Sequence, residues 1–408
     1  YDIVPEGEDR PVDVLCINTC GFIGDAKEQS INTILSAVKL KEEGLAGRLL
    51  VFGCLSQRYR DQLEELIPEV DGWFGARTLD PLVKALGCKP YGANPYRRER
   101  TDSLPYAYLK ISEGCDRRCS YCAIPLIRGP HRSVPMSTLV KEAQELAAGG
   151  VRELVIIAQD STYYGLDLYG RRALAQLLEK LSAVPGIERL RIHYSYPQDF
   201  PEDVLEEMAS NPKLCRYMDI PLQHISDKVL SNMHRGVDGK WTRELIRRMR
   251  EKVPGVVLRT TFIVGYPGEG VREFNQLMEF VREAGFQRMG AFTYSEEEGT
   301  YGARYLKDTV SEKTKKERLS RLMELQKGIS FAYNTSRIGT VANVLVDAFS
   351  DGVLVCRSEF ESPEVDGEIL VKYTPEAFGG VSGESLVGTF MDVRITGADE
   401  YDLTAERV

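Results

Sequence analysis

The sequence predicts an α/β protein in three parts: a parallel α/β domain, a partial (β/α)6 barrel and a small antiparallel β-barrel. Three observations predict it. Strand-length apolar runs alternate with helical periodicity up to about Gly87, the same alternation resumes for six units after Pro105, and beyond a charged helix only short strand patterns remain. A chain of 408 residues exceeds one ordinary core, and the domains are placed at residues 1–88, 101–331 and 334–402.

The first part opens on an apolar strand, Val12 to Asn18. Asp25 and Glu28 have the spacing of a capping box ahead of a helix whose apolar face is Ile31, Ile34, Leu35 and Val38. A second strand, Leu49 to Phe52, ends at Gly53-Cys54, and a second helix carries Leu63, Leu66 and Ile67. In parallel sheets the working site lies beyond the carboxyl ends of the strands. Cys20 and Cys54 each follow a strand directly, which points to a shared site, whereas Cys16 lies inside its strand and reads as a packed thiol.

Between Cys88 and Pro105 the chain is rich in Pro, Gly and Arg without periodicity, the pattern of an interdomain linker. Six β-rich runs follow, Tyr108 to Ser112, Glu153 to Ala158, Arg189 to Tyr194, Tyr217 to Leu222, Leu258 to Gly265 and Arg288 to Tyr294. Helical stretches such as Ser137 to Ala148 and Val271 to Ala284 separate them. Six units rather than eight indicate an open barrel with its active face at the carboxyl ends of the strands. After the helix Glu312 to Lys327, the runs Val341 to Val346, Gly352 to Arg357, Glu368 to Tyr373 and Thr389 to Ile395 read as strands. Asp351-Gly352 is the hairpin turn between the first two.

The sharpest chemical signal is Cys115, Cys119 and Cys122, a C-x-x-x-C-x-x-C array that follows the first barrel strand. Three thiolates so close suit an iron-sulfur cluster, whereas a closed structural zinc site takes four ligands, commonly as two separated pairs. A four-iron four-sulfur (4Fe-4S) cluster held by three cysteines leaves one iron open to chelate the amino and carboxylate groups of S-adenosylmethionine. One electron then cleaves the sulfonium to a deoxyadenosyl radical, which removes hydrogen from an unactivated carbon. The array therefore reads as that of a radical S-adenosylmethionine enzyme; the competing readings are a zinc knuckle completed by His131 and a chance cluster. Tyr121, directly before the last cysteine, is placed to pack against the adenine. Gly265 opens a glycine turn after a buried strand, which permits close approach of a nucleoside, and Gln159-Asp160 and Gln223-His224 put polar groups at the barrel mouth. Gln159 and Gly265 join Tyr121 as cofactor contacts. His193 and His234 read as structural, and the isolated Cys88, Cys215 and Cys356 as small buried residues.

Nine cysteines, an odd number, are too few for a disulfide scaffold and fit a reducing cytosol. No apolar run approaches the ~18 residues of a membrane span, and the first ten residues lack a signal peptide, so a cytoplasmic protein without membrane partners is expected. Tyr1 is not an initiator Met, and further N-terminal sequence is expected before it. The net charge of -9 is concentrated at the end of the chain, where 5 Lys and Arg face 14 Asp and Glu from Phe331 to Val408. A small acidic module repels phosphate backbones and attracts basic surfaces, which favours a basic protein partner over nucleic acid.

Asn18-Thr19-Cys20 with Phe22, Gly53-Cys54-Leu55 with Gln57-Arg58-Tyr59, the cysteine array and the β-barrel tail together resemble the radical methylthiotransferases over nearly the whole chain. Asp219-Ile220-Pro221-Leu222-Gln223-His224, Phe292-Thr293-Tyr294-Ser295, Glu297-Glu298-Gly299-Thr300 and Ser362-Pro363-Glu364-Val365-Asp366-Gly367 resemble the branch that modifies a ribosomal protein. The resemblance implies a radical SAM barrel, a C-terminal TRAM barrel, and two 4Fe-4S clusters. Cys115, Cys119 and Cys122 would hold the radical cluster, and Cys20 and Cys54 the auxiliary one. It also implies methylthio insertion at the β-carbon of an aspartate in small-subunit ribosomal protein S-twelve, with an electron donor protein as second partner. Two departures stand out: the family's first auxiliary cysteine has no counterpart before Cys20 except Cys16, whose surroundings differ, and Val134 stands where the family tends to have arginine. The alternatives are a tRNA adenosine methylthiotransferase and a noncatalytic iron-sulfur protein that binds ribosomal components.

Overall fold

The computed structural model describes residues 4, 10–88, 96, 98, 100 and 102–408, so most of the expected linker lies outside the described residues. The chain divides into two compact units. One gathers the described residues before Tyr96 with Gly114–Pro130 and Ser295–Lys307; the other gathers Tyr96–Glu113, His131–Tyr294 and Asp308–Val408.

The first unit is built on a parallel sheet ordered β1 (Val12–Thr19), β2 (Ala46–Gly53), β3 (Gly72–Phe74), with helices α1 (Gly24–Glu42), α2 (Cys54–Leu66) and α3 (Asp80–Ala85). Ile17, Ile34, Val38, Leu49, Val51, Leu63 and Trp73 form its core. Several expectations are corrected. The residue before α1 is Ile23, extended and without a side-chain cap, so Asp25 lies inside the first turn, where it complements the helix dipole and caps nothing. The buried stripe of α1 is Ser30, Ile34, Ala37 and Val38, which leaves Leu35 exposed; Leu66, at the end of α2, is 75% exposed. Cys16 is exposed as well. On edge strand β1 the inward positions are Ile17 and Thr19, and pleating turns Cys16 to the opposite face. Cys88 is likewise exposed, whereas Cys215 and Cys356 are buried. Burial pushes the Cys215 thiol up to about 11 and keeps it protonated.

In the second unit β4 (Tyr106–Lys110) begins a parallel sheet, and β5 (Ser112–Glu113) pairs with β6 (Arg132–Ser133) beside it. The sheet continues with β7 (Glu153–Ile157), β8 (Arg189–Ile192), β9 (Leu214–Asp219), β10 (Val257–Val264) and β11 (Arg288–Thr293). Their order in space is their order in the chain, with β4 and β11 at the two edges. Each parallel step needs a helical crossover, and helices such as Met136–Ala148 and Val271–Ala284 lay Leu139, Ala143, Phe274 and Leu277 onto Leu109, Ile156, Leu190 and Phe262. This is the open, six-stranded partial barrel the sequence predicts.

The following helix, Glu312–Ser336, continues well past Lys327. Its last turns bury Gln326, Ser330 and Asn334, which donate to the carbonyls of Phe286, Glu400, Asp399 and Tyr401. A buried face that is polar leaves no apolar period to read. The closed barrel beyond it has the order β12 (Val341–Ser350), β13 (Val353–Arg357), β14 (Ile369–Lys372), β16 (Leu403–Arg407), β15 (Phe390–Ala398). The fifth strand, β16, was not expected, and its pairing with β14 is parallel, so the barrel is not wholly antiparallel. It inserts between β14 and β15, and that geometry closes the sheet. Asp351 and Gly352 both have positive φ, 52° and 74°, as a two-residue hairpin turn requires.

Charges bind this barrel to the larger sheet. Glu153, at the start of β7, is fully buried, accepts from Arg191 Nε at 2.8 Å and from Arg357 Nη1 at 3.1 Å, and lies 3.8 Å from Arg189. Glu361 receives Arg288 at 3.3 Å and also Arg337. Burial alone would raise both carboxyls, but these guanidinium groups outweigh it and hold each at about 2. His193 shifts down as well: burial pushes it to about 4 against the opposing pull of Asp219, and its Nε2 lies 2.8 Å from Ser362 Oγ. Between pH 6.5 and about 4 the unfolded chain protonates this histidine and the folded one does not, so stability falls as pH drops through that window. Below pH 4.5 the unfolded carboxyls bind protons that Glu153 and Glu361 refuse until about pH 2. Thermal melts are therefore expected to lose stability in two stages on acidification, and His193→Gln to flatten the first stage while leaving the second.

Candidate iron-sulfur centres

The parallel register of the first unit pairs Thr19 with Gly53, so the residues that leave those strands, Cys20 and Cys54, emerge side by side at the carboxyl edge of the sheet. Gly21 is packed so closely that a Cβ there would meet Leu55 Cα at 2.7 Å. Gly53 has φ +111°, and a Cβ there would strike Thr19 O at 2.5 Å. The glycines therefore let the two cysteine turns touch. Ser30 Oγ, from α1, fixes Cys20 twice, accepting from its N–H at 3.0 Å and donating to its carbonyl at 2.9 Å. Cys54 is the first residue of α2. Both cysteines are free and at least partly exposed.

The array Cys115–Cys122 belongs to the same unit. Gly114 has φ +78°, and a Cβ there would lie 2.1 Å from Pro130 O, so the base of the loop admits no side chain. Cys115 N–H donates to Gly129 O at 3.1 Å, Cys122 N–H to Cys119 O at 3.0 Å, and helix α4 (Ile124–Ile127) follows. Two backbone N–H groups address the sulfurs: Arg117 N to Cys115 Sγ at 3.4 Å and Ile124 N to Cys122 Sγ at 3.5 Å. Hydrogen bonds to sulfur favour the thiolate and are one of the levers by which proteins tune iron-sulfur clusters. Among the described residues no three His, Cys, Asp or Glu groups close on a single metal ion. His131, the expected fourth ligand of a zinc knuckle, has its Nε2 3.0 Å from Ser133 Oγ.

A buried ion network completes the unit. Glu297 Oε2 accepts from Lys27 Nζ and from Arg58 Nη1, both at 2.9 Å, and Glu297 and the Arg58 side chain are each 4% exposed. Arg58 also donates to Gly21 O at 2.7 Å and to Glu298 O at 2.8 Å, so one guanidinium ties the Cys20 turn to segment 295–307. Arg77, just past β3, donates to the carbonyls of Ile127 and Leu126 at 3.2 and 3.1 Å. In return Arg128 Nη1 donates to Ala76 O at 2.9 Å, while its Nη2 lies 3.4 Å from Cys54 Sγ. Sequence reasoning missed Arg77 and Arg128, because an arginine that acts through a neighbouring loop carries no local pattern.

Of the other expected contacts, Tyr121 belongs to the first unit and Gln159 and Gly265 to the second. Tyr121 is half-buried in the turn before Cys122. Gln159, in the second unit just past β7, donates to Glu113 Oε1 at 3.1 Å and leaves its own buried Oε1 without a partner. Gln223 has φ +71° and the same orphaned Oε1, and His224 Nδ1 accepts from Ser226 N–H at 3.0 Å while its buried Nε2, 3.2 Å from Glu269 Oε2, makes no hydrogen bond. Gly265 has φ +76°, its N–H donates to Glu269 Oε2, and a Cβ would meet Lys315 Cγ at 2.3 Å. A cavity of about 1120 Å³ opens at the opposite, amino ends of the barrel strands, but Arg189 and Lys213 on its wall donate to backbone carbonyls within the unit.

Comparison with known proteins places these features in a family. A model of the Radical SAM superfamily matches residues 109–281, one of the TRAM domain matches 338–408, and one described as the uncharacterized protein family UPF0004 matches 2–75. The "Ribosomal protein uS12 methylthiotransferase RimO" of Porphyromonas gingivalis is 49% identical over 97% of this chain and 90% of its own. That of Christiangramia forsetii is 47% identical over 99% of this chain and 88% of its own. Among solved structures, the radical S-adenosylmethionine methyltransferase TsrM of Kitasatospora setae has a TM-score of 0.55 at 14% identity, covering 93% of this chain and 80% of that one; the likeness is one of fold.

Proposed function

The chain belongs to the radical S-adenosylmethionine methylthiotransferase family named for ribosomal protein uS12, and from that membership we propose that it replaces a β-carbon hydrogen of an aspartate in small-subunit ribosomal protein S-twelve with a methylthio group. The observation that carries the reading is near-half identity sustained over almost the entire chain, including the acidic barrel. The β-carbon hydrogen of aspartate is poorly acidic, so general-base chemistry would be a difficult route and a radical one is physically reasonable. When bound, a 4Fe-4S cluster with S-adenosylmethionine at its open iron supplies the hydrogen abstraction.

The chain's own residues divide the rest. Cys115, Cys119 and Cys122 would hold the radical cluster, with loop N–H groups donating to the sulfurs of Cys115 and Cys122. Cys20 and Cys54 would be two of the ligands of a second, auxiliary cluster, which would supply the transferred sulfur. The orphaned Gln159 Oε1 would accept a hydrogen bond from S-adenosylmethionine. Residues 1–88, 101–331 and 334–402 serve as the auxiliary-cluster, radical and substrate-docking domains. Asp347, Glu359, Glu361 and Asp366 turn inward to Arg357, Arg216, Arg337 and Tyr217. Asp351, Glu376, Glu384, Asp392, Asp402 and Glu406 remain exposed to attract a basic substrate. A protein donor supplies electrons.

Methyl-labelled S-adenosylmethionine, offered with a basic S-twelve loop peptide, tests the division of labour. The unaltered chain is expected to release deoxyadenosine and label the peptide; Cys54→Ala is expected to release deoxyadenosine while peptide labelling falls to background. Equal labelling by both would remove the auxiliary role from Cys54.

A further inference from the structure

Arg128 is the unexplained side chain of the first unit. It lies six residues beyond Cys122, at the end of helix α4, yet its guanidinium reaches the other cysteine site, with Nη2 3.4 Å from Cys54 Sγ. Its position is built twice over. Its Nη1 donates to Ala76 O at 2.9 Å, and Arg77 returns two bonds to the carbonyls of Ile127 and Leu126, so the segments exchange arginines in a reciprocal clasp. Gly129, with φ +81°, turns the chain away directly afterwards; a Cβ there would stand 3.5 Å from Arg77 Nε.

We propose that Arg128 is a positioning residue that brings a fixed positive charge and an N–H donor from the radical-cluster loop to the sulfur of Cys54, and so raises the reduction potential of the auxiliary cluster. The inference rests on the reading that Cys20 and Cys54 hold such a cluster. The physical argument is direct. Reduction adds negative charge to a cluster, and a neighbouring guanidinium, always charged, stabilises the reduced form more than the oxidised one. A hydrogen bond to a ligating sulfur acts in the same direction, because it withdraws electron density from the thiolate. Arg77 completes the clasp through carbonyls and has no bond to either sulfur, so clasp and charge are separable.

The test is a redox titration, followed by electron paramagnetic resonance, of the anaerobically reconstituted chain and of Arg128→Gln, Arg128→Lys and Arg77→Gln, with iron and sulfide measured for each. Cys54→Ala identifies which signal is the auxiliary one. Arg128→Gln is expected to move only that signal to more negative potential, Arg128→Lys to move it less, and Arg77→Gln to leave it in place. An unmoved signal in Arg128→Gln, or an equal shift in Arg77→Gln, would overturn the proposal. Loss of auxiliary iron from Arg128→Gln but not from Arg128→Lys would support it, and equal loss from both would overturn it. If the unaltered chain takes up the iron of one cluster only and Cys54→Ala changes nothing, the auxiliary-cluster reading itself fails, an outcome distinct from the others.

Discussion

Cys119→Ala abolishes reductive cleavage of S-adenosylmethionine: deoxyadenosine release falls to background, and the reconstituted chain holds about four fewer irons, the content of one 4Fe-4S cluster. Cys119 lies between two cysteines whose sulfurs already receive backbone N–H bonds, and its carbonyl accepts from Cys122 N–H. Alanine keeps that turn and removes only the thiolate. The loop's buried packing comes from Ala123 and Ile127 rather than from the cysteines, which are half-exposed, so the circular dichroism spectrum is expected to be unchanged. Cys215→Ala is the contrasting control. Its thiol is buried in a small cluster with Tyr217 and Val257, and removing it is expected to cost about 1 kcal/mol of stability with no loss of iron. Undiminished deoxyadenosine release from Cys119→Ala would remove it from the ligand set.

Glu153→Met is the largest stability effect expected outside the cysteines. Glu153 is fully buried among Arg191, Arg357 and Arg189, two of which also reach backbone carbonyls of the C-terminal barrel. Methionine leaves those guanidiniums buried without their anion, at a cost of about 3–5 kcal/mol in urea unfolding. The pair Glu153→Met with Arg191→Met is expected to be less destabilised than Glu153→Met alone, since a buried pair replaced by apolar groups is often near neutral. Glu64→Gln, which breaks an exposed pair with Arg60, is expected to cost less than about 0.5 kcal/mol. A Glu153→Met variant as stable as the unaltered chain would mean that the barrel is held by apolar contact alone.

The same residues show what can be read from the sequence and what cannot. The six-stranded sheet was legible because each strand is an apolar run bounded by turns, and its order in space repeats its order in the chain. The pairing of Cys20 with Cys54 was legible because both stand where parallel strands end. The end of the helix Glu312–Ser336 was not, since its buried face is Ser330 and Asn334. Nor was β16, a short strand whose parallel partner β14 is remote in sequence. Cys16 and Leu35 were assigned to the interior by residue type; which face of an edge strand or helix is covered depends on neighbours that periodicity does not name. Arg58, Arg77, Arg128 and Glu297 act across 37 to 270 positions, on segments that only the fold brings together.

The most direct test is to weigh the substrate. The anaerobically reconstituted chain, given S-adenosylmethionine, reductant and equal amounts of the basic S-twelve loop peptide and a tRNA anticodon stem-loop, is predicted to add about 46 daltons, sulfur plus a methylene, to one aspartate of the peptide and nothing to the RNA. The same gain on an adenosine of the RNA, with the peptide unchanged, would contradict the account.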